Sequence, residues 1–238
     1  MSFWQNLYGS YNRVGNEVSP LYHMTLKTRI EITLDASGKL VSRNPIRKLD
    51  KEETIIIPCT EESQSHRSGT SPASHPLFDQ IKHLQNPTYL KNLAKWCGRN
   101  PKVNAIYTYL ASGTLIEDLD REIKSKKFGV KKYDEKDGAR FVVQLPIDSD
   151  KVDEEKTWED REIRKVWQDY YLETINKGEK ALDFISGNLL TYTEKHPKVL
   201  GNSRLISSNK GEQKLAYITD RFANAKHAFS VGYESSQK

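Results

Sequence analysis

From Met24 to Leu34, apolar and polar positions alternate almost without a break. Met24, Leu26, Thr28, Ile30, Ile32 and Leu34 fall on one side, and Thr25, Lys27, Arg29, Glu31, Thr33 and Asp35 on the other. A period of two over this length predicts a strand with one buried face. Asp35-Ala36-Ser37-Gly38 is turn-forming, so Lys39-Leu40-Val41-Ser42 is the expected return strand of a β-hairpin, with Lys27 and Arg29 on its outer face. Thr54-Ile55-Ile56-Ile57-Pro58-Cys59 is a continuous apolar run, the pattern of a strand inside a covered sheet. The trend then reverses. Between Thr60 and Pro76 only Ala73 is aliphatic and Ser, Gly and Pro dominate, which reads as a long loop, either functional or disordered.

The next stretch is helical and well punctuated. Asn86-Pro87 opens one helix through Tyr89, Leu90, Leu93, Trp96 and Cys97 to Gly98, and Asn100-Pro101 opens another with Val103, Ile106, Tyr107 and Leu110 on one face. A third is expected over Leu115–Lys127, with lysines at its negative end. Phe141–Leu145 reads as a strand and the acidic run Asp148–Glu155 as a surface linker. Thr157 and Asp160 form a capping-box pattern ahead of the stripe Ile163, Val166, Trp167, Tyr170 and Tyr171, whose rings suit a core better than a base-stacking platform. Thr191–Thr193 and Arg204–Ser207 are short strand candidates, with turns at Gly201-Asn202 and Ser208–Gly211. The expectation is an α+β fold: an N-terminal mixed or antiparallel sheet with a hairpin, an inserted helical region and further short strands. Sub-regions 1–75 (β-rich), 76–135 (helical) and 136–238 (mixed α/β) divide it.

Composition narrows the setting. The 238 residues are 29% charged and 36% hydrophobic, with a mean hydropathy of −0.73, and no apolar run approaches the roughly 20 residues of a membrane span. The N-terminus lacks the basic start and apolar stretch of a signal peptide. The two cysteines, Cys59 and Cys97, are too few for a disulfide framework and fit a reducing cytoplasm. Net charge is +5, and Lys195–Lys226, with seven Lys/Arg against two Asp/Glu, carries an excess equal to that of the whole chain. Such a local excess suits a polyanion such as nucleic acid, or else a solvated basic surface.

Enzymatic chemistry finds little support. Neither a phosphate-binding Gly-x-x-x-x-Gly-Lys loop nor Gly-x-Gly-x-x-Gly is present, so no nucleotide cofactor is expected. His75, Asp79 and His83 are spaced like ligands on one helical face, but Pro76 places His75 ahead of any helix and no fourth ligand is near, so no metal is assigned. Glu122-Ile123-Lys124, behind Asp118 and Asp120, matches the letters of a metal-dependent nuclease motif, but the surrounding pattern is helical where such a motif needs a strand. Nucleic-acid contact is better supported. Ser207-Ser208-Asn209-Lys210 offers hydroxyls, an amide and an ammonium on a turn, and Arg67-Ser68-Gly69-Thr70-Ser71 has the same character. On the residues alone, the plainer reading of either segment is a polar turn.

The segments Ile57–Ser63, Arg67–Pro72 and His75–Asp79, with Leu21-Tyr22-His23, Leu205–Asn209 and Val231-Gly232-Tyr233-Glu234-Ser235-Ser236-Gln237-Lys238, resemble in order the large subunit of the type I-C CRISPR surveillance complex, Cascade. That family continues past the last segment into a helical bundle, so residues 1–238 are expected to be the N-terminal domain of a longer subunit. The resemblance implies a non-catalytic subunit that inspects the protospacer-adjacent motif in double-stranded DNA and aids R-loop initiation. Guide RNA reads the remaining sequence, the subunit holding the 5′ handle of the crRNA and the backbone subunits are neighbours, and a separate helicase-nuclease cuts. It further implies DNA contacts at Arg67 and Lys210 (phosphates), Asn209 (a base edge) and Gly69 (close approach), among Arg67–Ser71 and Ser207–Lys210, with Lys27 and Arg29 in a second rank. The competing readings are a scaffold module that binds the handle-holding subunit, and a metal-dependent nuclease using Glu122.

Overall fold

The alternating stretch forms strand β1 (His23–Asp35), with Thr28, Ile30, Ile32 and Leu34 buried and Lys27 exposed. The computed structural model describes residues 3–14, 18–65, 73–124, 133–146, 154–193, 196–200, 203–204 and 230–238. Within it the chain forms two compact units, the larger built from His23–Cys59 and Ser74–Asp169.

In the larger unit β1 is the central strand of three. β2 (Ile46–Pro58) runs antiparallel on one side and β3 (Ala139–Gln144) parallel on the other, so the sheet is mixed. Ile32 is in register with Ile46 and with Phe141, which aligns one apolar face across all three strands. The hairpin differs from expectation in where it returns. Lys39–Ser42 contributes only a bridge, Leu40 opposite Leu34, and pairing resumes at Ile46. The turn explains this: one carboxylate oxygen of Asp35 accepts from Ser37 N–H (2.8 Å), Ser37 Oγ (2.7 Å) and Lys39 N–H (3.0 Å). Gly38, at φ +79°, passes so close to helix α5 (Pro101–Ala111) that a Cβ would lie 2.5 Å from Ala105 O. Thr54–Cys59 is not a separate strand but continues in β2, whose two halves are divided by the exposed Asp50-Lys51-Glu52 at a register shift opposite Arg29. That polar interruption hides the strand's continuity in the sequence.

Helices cover the apolar face. α5 packs on β1 and β3 through an element whose Val103, Ile106 and Leu110 are buried. Each such aliphatic side chain contributes about 1.5–3 kcal/mol. The Asn-Pro signals work as read: Asn86 Oδ1 accepts from Thr88 N–H (2.9 Å) to start α4 (Pro87–Leu93), and Asn100 Oδ1 accepts from Lys102 and Val103 to start α5. The first of these helices ends earlier than expected, and a 3₁₀ turn, Cys97–Arg99, joins the two. Short α3 (Ile81–Leu84) precedes them and α6 (Leu115–Lys124) follows. Helix α7 (Arg161–Ile175) is capped by Asp160, whose Oδ1 accepts from Glu162 and Ile163 N–H, rather than by Thr157. The Thr157 hydroxyl instead donates to Phe141 O (2.6 Å), because the segment before the helix is tied to β3. Trp167 of α7 packs against Trp96, with ring centroids 5.2 Å apart.

The smaller unit comprises Met1–Tyr22, Thr60–Ala73 and Tyr170–Lys238. It contains α1 (Phe3–Val14), which the sequence pattern did not announce because Gly9, Ser10 and three asparagine or glutamine positions dilute its periodicity. The polar stretch after β2 opens not as loop but as α2 (Glu61–Ser65), held by a reciprocal cap: Thr60 N–H donates to Ser63 Oγ and Ser63 N–H to Thr60 Oγ1. β4 (Lys180–Leu182) pairs with β5 (Leu189–Thr191), and β6 (Lys198–Leu200) with β7 (Ser203–Arg204), both antiparallel. The chain closes on α8 (Tyr233–Gln237). Buried Asp183 anchors it, accepting from Gly232 N–H (2.8 Å), Ser235 Oγ (2.7 Å) and the N–H and Oγ of Ser186. Gly232 is required there, since a Cβ would sit 2.5 Å from Leu190 Cβ. The α+β class holds. Among the described residues no helix is long and apolar enough to cross a membrane.

Candidate nucleic-acid interface

Of the expected contact residues, Lys27 and Arg29 lie on described elements, both on the outer face of β1. Lys27 Nζ stands 3.4 Å from Glu52, with the two side chains 72% and 52% exposed. An ion pair so open to water holds its partners weakly, so the Lys27 ammonium can exchange a carboxylate for a phosphate at little cost. Arg29 is half-buried. Its Nε is shielded from water, and among the described residues its side chain has neither a hydrogen bond nor an ion pair.

The neighbouring charges on this face are already committed. Arg140, 5% exposed, donates through Nε and Nη2 to Glu31 (2.9 and 2.7 Å) and through Nη1 to Glu53 (2.6 Å), and its guanidinium lies 4.2 Å from the centroid of Trp158. Arg47 takes the other Glu31 oxygen at 2.7 Å. The hydrogen bond from Arg140 and its charge hold the Glu53 carboxyl below its ordinary value. Two arginines and two glutamates thus neutralise one another, leaving Lys27 as the exposed cation of β1 and Arg29 half-buried beside it.

The helical layer carries charge of a different kind. Between Asp79 and Glu117 the chain has no Asp or Glu, while it has Lys82, Lys91, Lys95, Arg99 and Lys102. Lys102 is buried on Asp160 (2.7 Å), and the other four are exposed.

The groups with letters for chemistry have structural duties. Asp79 precedes α3 and accepts from His75 N–H (2.7 Å) and Gln80 N–H (2.7 Å), so His75, Asp79 and His83 do not share a helical face. Among the described residues no cluster of His, Cys, Asp and Glu could hold a metal ion. Asp118 accepts from Tyr109 Oη, Thr114 Oγ1 and Arg121 Nη2, and Glu122 and Lys124 stand on helix α6. Burial pushes up the Tyr109 phenol and the Cys97 thiol, which keeps both protonated at neutral pH.

Arg67, Ser68, Gly69, Thr70 and Ser71, together with Ser207, Ser208, Asn209 and Lys210, lie outside the described residues. Other segments that carry the resemblance meet inside the smaller unit. Tyr22 stacks on Tyr233 (5.7 Å) and meets Tyr171 edge-on (5.3 Å), Gln64 and Gln237 exchange amide hydrogen bonds, and Thr193 donates to Glu61. Tyr22, Gln64 and the terminal segment therefore act in packing. The family model described as CRISPR-associated protein (Cas_Csd1) matches residues 5–238. No curated protein matches the chain.

Proposed function

Because the chain belongs to the Cas_Csd1 family of CRISPR-associated proteins, we propose that it is a non-catalytic DNA-recognition subunit of an RNA-guided Cascade complex of type I-C. The family match over almost the whole chain is the observation that carries this reading. In the proposal the subunit inspects the protospacer-adjacent motif while the target is still duplex and helps the guide begin its R-loop. Base pairing reads the rest, a handle-holding subunit adjoins it, and a recruited helicase-nuclease cuts. The excess of seven Lys/Arg over two Asp/Glu across Lys195–Lys226 supports it, because cations at phosphates gain free energy by releasing counterions. The exposed Lys27 supports it further.

The assembled complex, titrated by fluorescence anisotropy against duplexes differing only in the flanking motif, provides the test. Arg67→Ala and Lys210→Ala should weaken binding to all motifs alike and each flatten the salt dependence by about one unit. Asn209→Ala should relax discrimination between motifs by about 1–3 kcal/mol. Normal assembly with unchanged DNA binding in all three variants would contradict the assignment. Loss of assembly would favour the scaffold reading.

A further inference from the structure

The seven large apolar side chains exposed among the described residues all belong to the smaller unit. Three of them share one hairpin. β4 and β5 pair Lys180 with Thr191, Ala181 with Leu190 and Leu182 with Leu189. Side chains alternate across such a ribbon, so Lys180, Leu182 and Phe184 look outward with Leu189 and Thr191, while Ala181, Asp183 and Ile185 look inward. Burial agrees: Asp183 and Ile185 are buried, whereas Leu182, Phe184 and Leu189 are 51%, 47% and 70% exposed. This exposure is built in and is not a frayed end. Asp183 N–H donates to Asn188 O (2.8 Å), Gly187 N–H to Asp183 O (2.8 Å) and Phe184 N–H to Ser230 O (3.0 Å), and the Asp183 carboxylate holds Gly232, Ser235 and Ser186 from the inner side. The face is thus ordered before any partner arrives, which lowers the cost of binding it.

The face has a charged border. Turn 175–178 closes one end of it, with Thr191 Oγ1 donating to Ile175 O (2.9 Å) and Gly178 so near that a Cβ would lie 2.8 Å from Thr191 Cγ2. Lys177 on that turn and Lys180 on the face are exposed, and neither ammonium has an ion pair or hydrogen bond, whereas Glu173 and Glu179 each have a partner. Area and charge together select the occupant. The three side chains offer about 300 Å² of apolar surface against the roughly 800 Å² per partner of a stable pair, so the face suits an anchor within a larger assembly, where further contacts add area, and not a dimer of this chain alone. A second copy would also bring the same two cations and no available carboxylate to meet them. Two of the three side chains are aliphatic, which gives the bases of a nucleic acid little to stack on.

We propose that the outward face of the β4–β5 hairpin is a protein-docking surface: Leu182, Phe184 and Leu189 enter an apolar recess on a different subunit of the complex, and carboxylates at the rim of that recess meet Lys180 and Lys177. Burial of the three apolar side chains supplies the hold, and the two cations steer approach and fix orientation. The inference rests on the proposed membership of an RNA-guided complex for the identity of the partner, and on these residues alone for its chemistry.

The experiment adds the 238-residue chain to the guide-loaded complex purified without it and measures equilibrium binding by biolayer interferometry. Leu182→Thr with Leu189→Thr, which keeps strand propensity, should weaken docking at least tenfold. Lys180→Glu should weaken it about threefold, and by less at high salt. Leu182→Met with Leu189→Met should dock like the parent, and all variants should melt like it, since the substituted side chains are exposed. The chain alone should sediment as a monomer. Docking unchanged in the threonine variant would overturn the inference, as would an equal loss in the methionine variant or a parent chain that does not join the complex. A dimer of the chain alone that the threonine variant dissolves would assign the face to a second copy, and the same loss measured against free guide RNA would assign it to nucleic acid; either overturns the proposal. Motif discrimination stands or falls separately. A parent that docks through the two leucines but confers no motif preference would sink the motif-reading role and leave this interface standing, and variants that dock like a motif-discriminating parent would do the reverse.

Discussion

Arg140 shows how much a single residue settles. It is buried, shared between Glu31 and Glu53, and stacked near Trp158. It therefore locks β3 to β1 and β2 and is withdrawn from any ligand. Arg140→Ala should cost about 3–5 kcal/mol in urea denaturation, because Glu31 is left poorly compensated. Adding Glu31→Met to Arg140→Met should recover much of that loss, since the buried charge leaves with its partner. Acid sensitivity belongs to this scale too. Hydrogen bonds from Lys39 N–H and Ser37 hold Asp35 below its ordinary 3.8, and Arg140 holds Glu53 below its ordinary 4.5. A carboxylate depressed on folding stabilises fully above its unfolded value and loses that contribution as pH falls through the folded value. A denaturation series should show stability falling below about pH 4.5, and Asp35→Asn should flatten the lower part of that fall.

At the scale of elements, what was legible followed locality. Asn86-Pro87 and Asn100-Pro101 cap their own next turns, so two adjacent letters announce each helix. β1 was legible because one face is buried along most of its length. β2 was only half legible, since Asp50-Lys51-Glu52 interrupts a strand whose continuity depends on the pairing partner. The parallel pairing of β3, the use of Thr157 by the sheet and the clustering of Tyr22, Tyr171 and Tyr233 are long-range outcomes that no local pattern encodes. Of the expected contact residues, Lys27 emerged as exposed, whereas the burial of Arg29 Nε depends on the fold around it. Asp160 carries two such duties, capping α7 and neutralising buried Lys102. Asp160→Ala should therefore be the more damaging change, about 3–5 kcal/mol by thermal or chemical denaturation. Lys102→Met should cost clearly less, because Asp160 keeps its two backbone N–H donors.

For the whole molecule, the charge is unevenly used. Much of the larger unit's positive charge is consumed in ion pairs, while the stretch Lys195–Lys226 carries seven Lys/Arg against two Asp/Glu in sequence. In the proposed function this excess holds duplex DNA by its phosphates while a few residues read the flanking motif. The most direct measurement of that account is equilibrium binding of the guide-loaded complex, with and without this chain, to duplexes identical except for the flanking motif. The account predicts that the complex with the chain prefers one class of motif by tenfold or more, as about 1–3 kcal/mol per read base requires, and that the preference vanishes when the chain is omitted. Equal affinity for every motif, or the same preference without the chain, would contradict it.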